Sequence, residues 1–521
     1  MSRECGMRNA ECGILWLLVI SALVRGVLAA WMELGNDEVY YWTYALYPDW
    51  SHFDHPPMVG WVIQLFSLNL LLDSEFFLRL ASVVFMTADT YIIYRIGREL
   101  KDARTGFYAA LLYTASVYAF VITGVFIMPD TPLMLFWLLA IWMALKPEKN
   151  QNLILFGLFA GLAMLSKYSG IFLWVGMGLY ILFFNRKQLK SPWLYLSLLI
   201  SLVCCLPILY WNLSNDFISF RFHGGRVGGG ALNFGTFGTE LAGEVLYNNP
   251  VCFVLALLAV VAAFRKRIKT EQPTLRLLLC IALPMILVFW VFSLTRPTLP
   301  HWNSPAFVLL LLPAAVWLSE RHSDKLPRSI IAALSVLVIV VGVGVAEIKT
   351  GFIPLDKHTE PEALGRDDFT LDMYGWRQLG EKFADFRETK IAEGLMKEED
   401  GIVANQWFPL ANLDYYVARP LGMRAMGLGW PEQLHKYLWI NDARGGFHLG
   451  EDYWFLTDSR YLKDPKETYQ WYFKEIKLAG IIPIERNGKT VKNFFVYTCK
   501  GLCDLPPTLQ SLMASSASAG E

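Results

Sequence analysis

The chain has 521 residues, of which 55% are hydrophobic and 18% charged, and its mean hydropathy is positive, a composition foreign to soluble chains of this size. Basic and acidic residues number 46 each, so no bulk field argues for nucleic acid or for an acidic partner.

In chain order, apolar runs of membrane-spanning length recur at 14–31, 79–95, 107–126, 131–145, 153–166, 169–184, 193–211, 251–264, 277–294, 305–319 and 329–347. The first is read as a retained span, because no small-residue cleavage site closes it. The stretch 58–72 is apolar but short for a hydrocarbon core roughly 30 Å thick. From Glu347 onward charged residues and aromatics mix in globular proportion, enough for one compact domain. The expected division is a transmembrane domain at 1–347, an α/β domain at 348–512 and a disordered Ser/Ala tail at 513–521. Within the α/β part, β-like runs at 453–456 and 494–498 alternate with helical patterning at 376–386. Trp407, Tyr415, Tyr416 and Trp430 read there as core aromatics.

Basic residues set the topology, since short cytoplasmic loops retain Lys and Arg. If 58–72 does not cross, one face collects Arg3 and Arg8, the 95–104 group, Lys146 and Lys149, the 186–190 group, the 265–269 cluster and Arg321, Lys325 and Arg328. The other face keeps chiefly Lys167, Arg221, Arg226 and Arg296. The stretch 58–72 is therefore laid along the outer interface as a re-entrant or interfacial helix. With eleven spans and the N-terminus inside, the C-terminal domain lies outside. Cys204, Cys205, Cys252 and Cys280 sit in apolar runs as small hydrophobes. Cys499 and Cys503 are spaced for a local disulfide or for two free thiols. The glycine-rich stretch 224–238 lacks the GK[ST] of a phosphate loop and reads as an outer loop.

On this topology the unusual polar motifs share the outer side: GNDEVYYW (35–42), FDHPPMVGW (53–61), IMPDTP (127–132), LSKYSG (165–170) and TRPTLPHWNSP (295–305). Each has a plain reading. Asp37, Glu38 and Asp130 suit helix N-termini, Pro56 and Pro57 break helices, Lys167 can snorkel and His301 with Trp302 can sit in an aromatic belt. Together, however, they set acids, a lysine, an arginine and histidines on one face of a bundle, where ionisable groups are costly and tend to be functional. A carboxylate there can act as general base. Arg296 and Lys167, with His301, can neutralise a leaving phosphate, and Tyr40, Tyr41 and Trp42 suit a sugar face. A substrate of phosphate, sugar and lipid tail fits such a set, and no nucleotide-binding motif is present.

In order, NDEVYYW, DHPPMVGW, MPDTPL, LSKYSG and RPTLPHWNSPAF resemble the motifs of bacterial members of the dolichyl-phosphate-mannose protein mannosyltransferase family (glycosyltransferase family 39), whose relatives include lipid A aminoarabinose transferases. The resemblance covers residues 14 to 320. It implies a GT-C fold, a polyprenyl-phosphate-linked sugar donor, and inversion at the anomeric carbon by direct displacement. Carried over by position, Asp37 is the general base, Glu38 supports it, and Asp130 is the second outer acid. Lys167, Arg296 and His301 are the leading donor-phosphate contacts. His55 joins them, standing where aminoarabinose transferases have a lysine, a departure that argues against an aminoarabinose donor. Tyr40, Tyr41 and Asp54 are the candidate substrate-binding residues. No cofactor or metal ligand set is expected. The implied enzyme is a multi-pass protein of the inner membrane that glycosylates a glycolipid such as lipid A, or a protein, on the periplasmic side. The alternative is a transporter or flippase for a lipid-linked substrate, although no internal repeat is seen and the acids cluster at one edge.

Overall fold

The computed structural model describes residues 2–225, 230–321 and 325–505, with side chains described from residue 11. Arg226 and the expected tail at 513–521 lie outside the described residues. By contacts the chain divides into two units that do not follow chain order: Met1–Trp31 with Pro48–Val341, and Met32–Tyr47 with Gly342–Glu521.

The first unit is a helical bundle, and each of the eleven expected runs contains helix, the last, at 329–347, crossing from the first unit into the second at Gly342. Among the described residues five helices are long and apolar enough to cross a membrane by length and composition, or up to seven if each of two bent pairs is one span. Three shorter apolar helices, Asp130–Ala144, Asn150–Ser166 and Tyr168–Phe184, accompany them. The run at 107–126 is interrupted: its helix ends at Ala115, Ser116 is extended, and a π-helical turn Tyr118–Ile122 follows. The stretch 58–72 forms only a nine-residue helix, Met58–Phe66, about 14 Å long at 1.5 Å per residue. That is half of what a crossing needs.

Burial explains why the bundle holds together in lipid. The helix Ser304–Arg321 is the centre, with 83% of its apolar window buried, whereas Glu11–Trp31 and Arg328–Thr350 bury only 22% and 17%. Leu15, Trp16, Val338 and Ile339 on those outer helices are exposed, a cost in water that vanishes in hydrocarbon. Lipid also removes the hydrophobic drive between helices, so close backbone approach must supply the contact. Gly157 and Gly161 meet Ser197 and Ser201 across such a seam. A Cβ at Gly157 would collide with the Ser197 carbonyl, and the two serines donate to the Leu153 and Gly157 carbonyls at 2.6 and 2.5 Å.

The second unit carries a mixed five-stranded sheet of order β2-β1-β3-β5-β4, with β1 Gly401–Ala404, β2 Ala425–Gly427, β3 Tyr453–Asp458, β4 Phe473–Arg486 and β5 Lys489–Leu502. Strands β2, β1 and β3 run parallel and are buried along their whole length, as parallel strands covered on both faces must be. Strands β4 and β5 form a hairpin. Asn487 and Gly488 both take positive φ at its turn, the requirement of a two-residue hairpin loop that matches strand twist.

The strands expected at 453–456 and 494–498 fall in β3 and β5, and the helical stretch in Trp376–Ala392. Tyr415 and Tyr416 are buried, but Trp430 is 73% exposed and does not belong to the core. Cys499 and Cys503 are both free. Cys499 is buried within β5, while Gly501 at φ 64° turns the chain and leaves Cys503 exposed beyond the strand.

The segment Met32–Tyr47 is pinned to this unit by long-range bonds. The Leu34 N–H donates to the Tyr416 hydroxyl at 2.7 Å, the Trp376 N–H to Glu33 Oε2 at 2.8 Å, and Arg444 Nε to the Tyr47 hydroxyl at 3.0 Å.

Candidate active site

Two sets of polar residues stand out, one in each unit. In the helical unit Asp130 opens the helix Asp130–Ala144 and is 1% exposed. Its Oδ2 accepts from Lys167 Nζ at 2.7 Å and its Oδ1 from the Tyr118 hydroxyl at 2.9 Å. Lys167 reaches it because the helix Asn150–Ser166 stops one residue earlier and Lys167 itself is extended, at φ −155° and ψ 138°. The chain then folds back as a short 3-10 turn, Tyr168–Ile171. Gly170 permits this, since any Cβ there would strike the backbone of Ala163 and Met164. Tyr118 sits on the π-helical turn, a distortion common at functional sites.

His55 and His301 feel the same charges. Burial pushes both imidazoles down to about 4, Lys167 pushes in the same direction, and Asp130 opposes it. Both rings are therefore neutral at pH 7 and offer a phosphate a hydrogen bond in place of a full charge. The Tyr247 and His301 rings lie 5.9 Å apart. Asp54 is half-buried, and its carbonyl oxygen is 2.8 Å from His223 Nε2. Arg296 makes its contact over the Phe292 ring at 4.7 Å. One buried nitrogen of its guanidinium has no partner.

In the other unit the helix Asn36–Leu46 separates the two neighbouring acids. Glu38 is 2% exposed and accepts from the Gly35 N–H at 2.8 Å, so it closes the helix start. Asp37, one residue earlier, is exposed. Tyr40, Tyr41 and Trp42 do not form an open sugar face. Tyr40 is 1% exposed, its ring 4.9 Å from Trp407 and 5.9 Å from His435. Tyr41 packs edge-on to Tyr44, and Trp42 to Tyr415. The NDEVYYW motif thus spends its aromatics on anchoring a helix and leaves its first acid facing out.

The structure gathers Asp130, Lys167, His55 and His301 and sets Asp37, Glu38, Tyr40 and Tyr41 in the sheet unit. It adds residues the motifs did not flag. Tyr113 donates to Asp89 at 3.2 Å, and Arg25 donates to Thr87 at 3.1 Å, all inside the bundle. Glu240 and Glu244 are buried on the helix Phe234–Tyr247, where Glu244 accepts from Trp290 at 2.9 Å and from Asn303. Among the described residues one group could offer a metal three ligands, Asp356, His358 and Asp367. His358 is already 2.9 Å from Asp356, and the group is partly exposed.

A multi-pass helical bundle with a buried ion-pair cluster, together with a small sheet domain, defines the class: a polytopic membrane protein. The fold is similar to crystal structures of ArnT from Cupriavidus metallidurans. The apo form aligns with TM-score 0.62 and 15% identity over 94% of this chain and 98% of that one. The form bound to undecaprenyl phosphate aligns with TM-score 0.60 and 16% identity over 93% and 97%. Residues 54–211 match the family described as dolichyl-phosphate-mannose-protein mannosyltransferase. A curated relative, the lipid A galacturonosyltransferase RgtD of Rhizobium johnstonii, is 24% identical over 291 residues, 54% of this chain. That match spans 60% of the relative's length. The fold is therefore of the GT-C type that ArnT shows, while the family match, over residues 54–211, and the curated relative are similarities to glycosyltransferases over part of the chain.

Proposed function

We propose that the chain is an inverting membrane glycosyltransferase that moves a sugar from a polyprenyl-phosphate carrier to a glycolipid of lipid A type or to a protein. The reaction belongs to the periplasmic side of the inner membrane, a sidedness that the excess of Lys and Arg in the opposite loops supports. The acceptor oxygen attacks the anomeric carbon, the bond from that carbon to the phosphate oxygen breaks, and the electron pair leaves on polyprenyl phosphate. The Asp37 carboxylate takes the acceptor's proton. Lys167, with two donor positions beyond its bond to Asp130, is the chief phosphate contact. His55 and His301 add neutral donors, and Arg296 a further charge. Asp130 and Tyr118 hold Lys167 in place, and Glu38 holds the turn that presents Asp37.

The observation that carries this reading is the selectivity of burial. Lys167 and its partners are kept buried in the helical bundle at considerable desolvation cost, while of two adjacent acids one is consumed by a helix start and the other is exposed. The family match and the curated lipid A galacturonosyltransferase support sugar transfer over the transporter alternative. The ArnT structure with undecaprenyl phosphate supports the class of donor.

The test is sugar transfer by the purified protein from polyprenyl-phosphate-sugar donors. Asp37→Asn is expected to lower turnover by about 10²–10⁴-fold, the usual worth of a general base, with donor binding retained. Near-normal turnover in that variant removes Asp37 from the role. For orientation, a cysteine placed in the 265–269 loop is expected to resist a membrane-impermeant label in intact cells. Labelling there reverses the assigned sides.

A further inference from the structure

The sheet unit holds a cavity of about 480 Å³ that the proposed chemistry leaves unused. Its position follows from the strand order. β1 pairs with β2 on one side and with β3 on the other, all parallel, and β5 and β4 lie beyond β3, so the chain leaves the carboxyl ends of the neighbouring strands β1 and β3 in opposite directions. Such a reversal opens a crevice outside the carboxyl ends of the strands, where α/β sheets bind ligands. The cavity is lined by residues that directly follow β1, Asn405 and Gln406, and by the end of β3, Thr457 and Asp458. Asn36, the first residue of the helix that carries Asp37, is also part of its wall.

The chemistry of the wall narrows the occupant. Asp458 is 3% exposed. Its Oδ1 accepts from the Tyr461 N–H at 3.0 Å, while its Oδ2 is buried with no hydrogen-bond partner, as is Oδ1 of Asn36. A buried acceptor left unpaired keeps its desolvation cost uncompensated, so both call for hydroxyl or amide donors from a ligand. The amides of Asn405 and Gln406 and the Thr457 hydroxyl can both give and accept. Phe408 and Tyr461 line the same space at right angles, ring centres 5.5 Å apart, and Tyr461 is 49% exposed at the rim. Many small donor–acceptor groups beside aromatic faces suit a polyhydroxylated ring with one apolar side. The wall sets one carboxylate, Asp458, against one lysine, Lys463, so its formal charge balances and it has no excess of cations to hold the carrier's phosphate. The volume lies within the range of about 300–1,000 Å³ typical of small-ligand pockets.

We propose that this crevice binds a neutral saccharide unit of the acceptor, held by Asn36, Asn405, Gln406, Thr457 and Asp458 against Phe408 and Tyr461. The inference rests on the transferase reading. It adds that the acceptor is chosen by a sugar next to its reactive hydroxyl, through a pocket whose wall shares a helix turn with the proposed base.

The experiment uses the full-length protein in a detergent without a sugar head group. Saturation-transfer NMR is recorded with the methyl glycosides of glucose, galactose, mannose and N-acetylglucosamine, and with methyl galacturonoside as the anionic comparator. At least one neutral glycoside is expected to bind, at least tenfold more tightly than the uronate. Asn405→Ala and Tyr461→Ala are expected to weaken it at least tenfold, and in the transfer assay to raise acceptor KM with little change in donor KM. Asp458→Asn should do the same. Because Asp458 also caps a turn, the exposed Tyr461 keeps the test independent of folding. Equal binding of uronate and neutral glycosides, no binding of any neutral glycoside, or unchanged binding in both alanine variants overturns the proposal. Absence of binding beside intact sugar transfer removes the pocket and spares the transferase. Binding beside no transfer from any polyprenyl-phosphate donor removes the transferase and leaves a saccharide site.

Discussion

The two polar regions of this molecule are built on opposite principles. In the helical unit Asp130 and Lys167 spend their charges on each other at 2.7 Å, and Tyr118 satisfies the remaining carboxylate oxygen. In the sheet unit Glu38 is consumed by the helix start, but Asp37 is exposed and the neighbouring crevice keeps acceptors unpaired. The first region is organised to hold charge in a medium hostile to it, and the second sets its acid at the surface. Charge held in advance suits a leaving phosphate, whereas an exposed carboxylate suits proton capture from an incoming hydroxyl.

The largest expected effect tests that contrast within one helix turn. Asp37→Asn should remove turnover while leaving thermal stability within about 0.5 kcal/mol, as for most surface substitutions. Glu38→Gln should do the reverse, costing about 1 kcal/mol or less as a weakened cap and preserving most turnover. Thermal melts and initial rates on the two variants decide it. Equal loss of activity in both would mean that the acids act as a pair and that the division drawn from their burial is mistaken.

Next in size is the buried ion pair. Asp130→Asn or Lys167→Met alone leaves an uncompensated charge and should destabilise the helical unit by about 3–5 kcal/mol. Replacing both, by Asp130→Leu with Lys167→Met, should recover much of that stability, because apolar substitutes of similar size often match a buried pair. Activity should not return with it. A double variant that regains both would show the pair to be scaffolding.

What the sequence revealed of these regions depended on how far apart the signals lay. Asp130, Lys167, His55 and His301 were legible because polar residues in short motifs between apolar runs are outliers. Their mutual contacts were not, since nothing local joins position 130 to 167. Tyr118 was invisible within the apolar VYAFVI, where only the π-helical turn gives it a direction. Arg25 and Asp89 did carry a signal, as lone charges inside apolar runs, but interior charges draw less notice than motif-rich loops. The burial of Tyr40 and Tyr41 rests on contacts such as Tyr40 with Trp407, and the neighbouring Leu34–Tyr416 bond spans 382 positions. No window-based reading reaches that far. The crevice was equally hidden, because β1 and β2 have four and three residues, too few for a periodicity to register.

Acid provides the third contrast, since the two units should fail in different pH windows. In the helical unit His55 and His301 stand at about 4 against an ordinary 6.5, chiefly through burial. Between those values the unfolded chain binds more protons than the folded one, so stability is whole above pH 6.5 and falls as the pH drops toward 4. His55→Gln and His301→Gln should each flatten that decline, measured as melting temperature between pH 7 and 5.

The smallest effect belongs to Glu451 in the sheet unit. Burial raises its pKa, but the Tyr453 hydroxyl at 2.5 Å and Arg424 at 2.6 Å outweigh burial and bring it down to about 2 from 4.5. Here the folded state holds its carboxylate ionised when the unfolded state has begun to protonate. The contribution is therefore complete above pH 4.5 and is lost only as the pH falls from there toward 2. Glu451→Gln should leave the decline between pH 7 and 5 untouched and shift only the acid limb below 4.5, and near-ultraviolet circular dichroism of the aromatic-rich sheet unit can follow it. If instead Glu451→Gln moved the upper window, or the histidine variants the lower one, the two units would not be separate in their response to protons. The division of labour between held charge and exposed acid would then lose its thermodynamic footing.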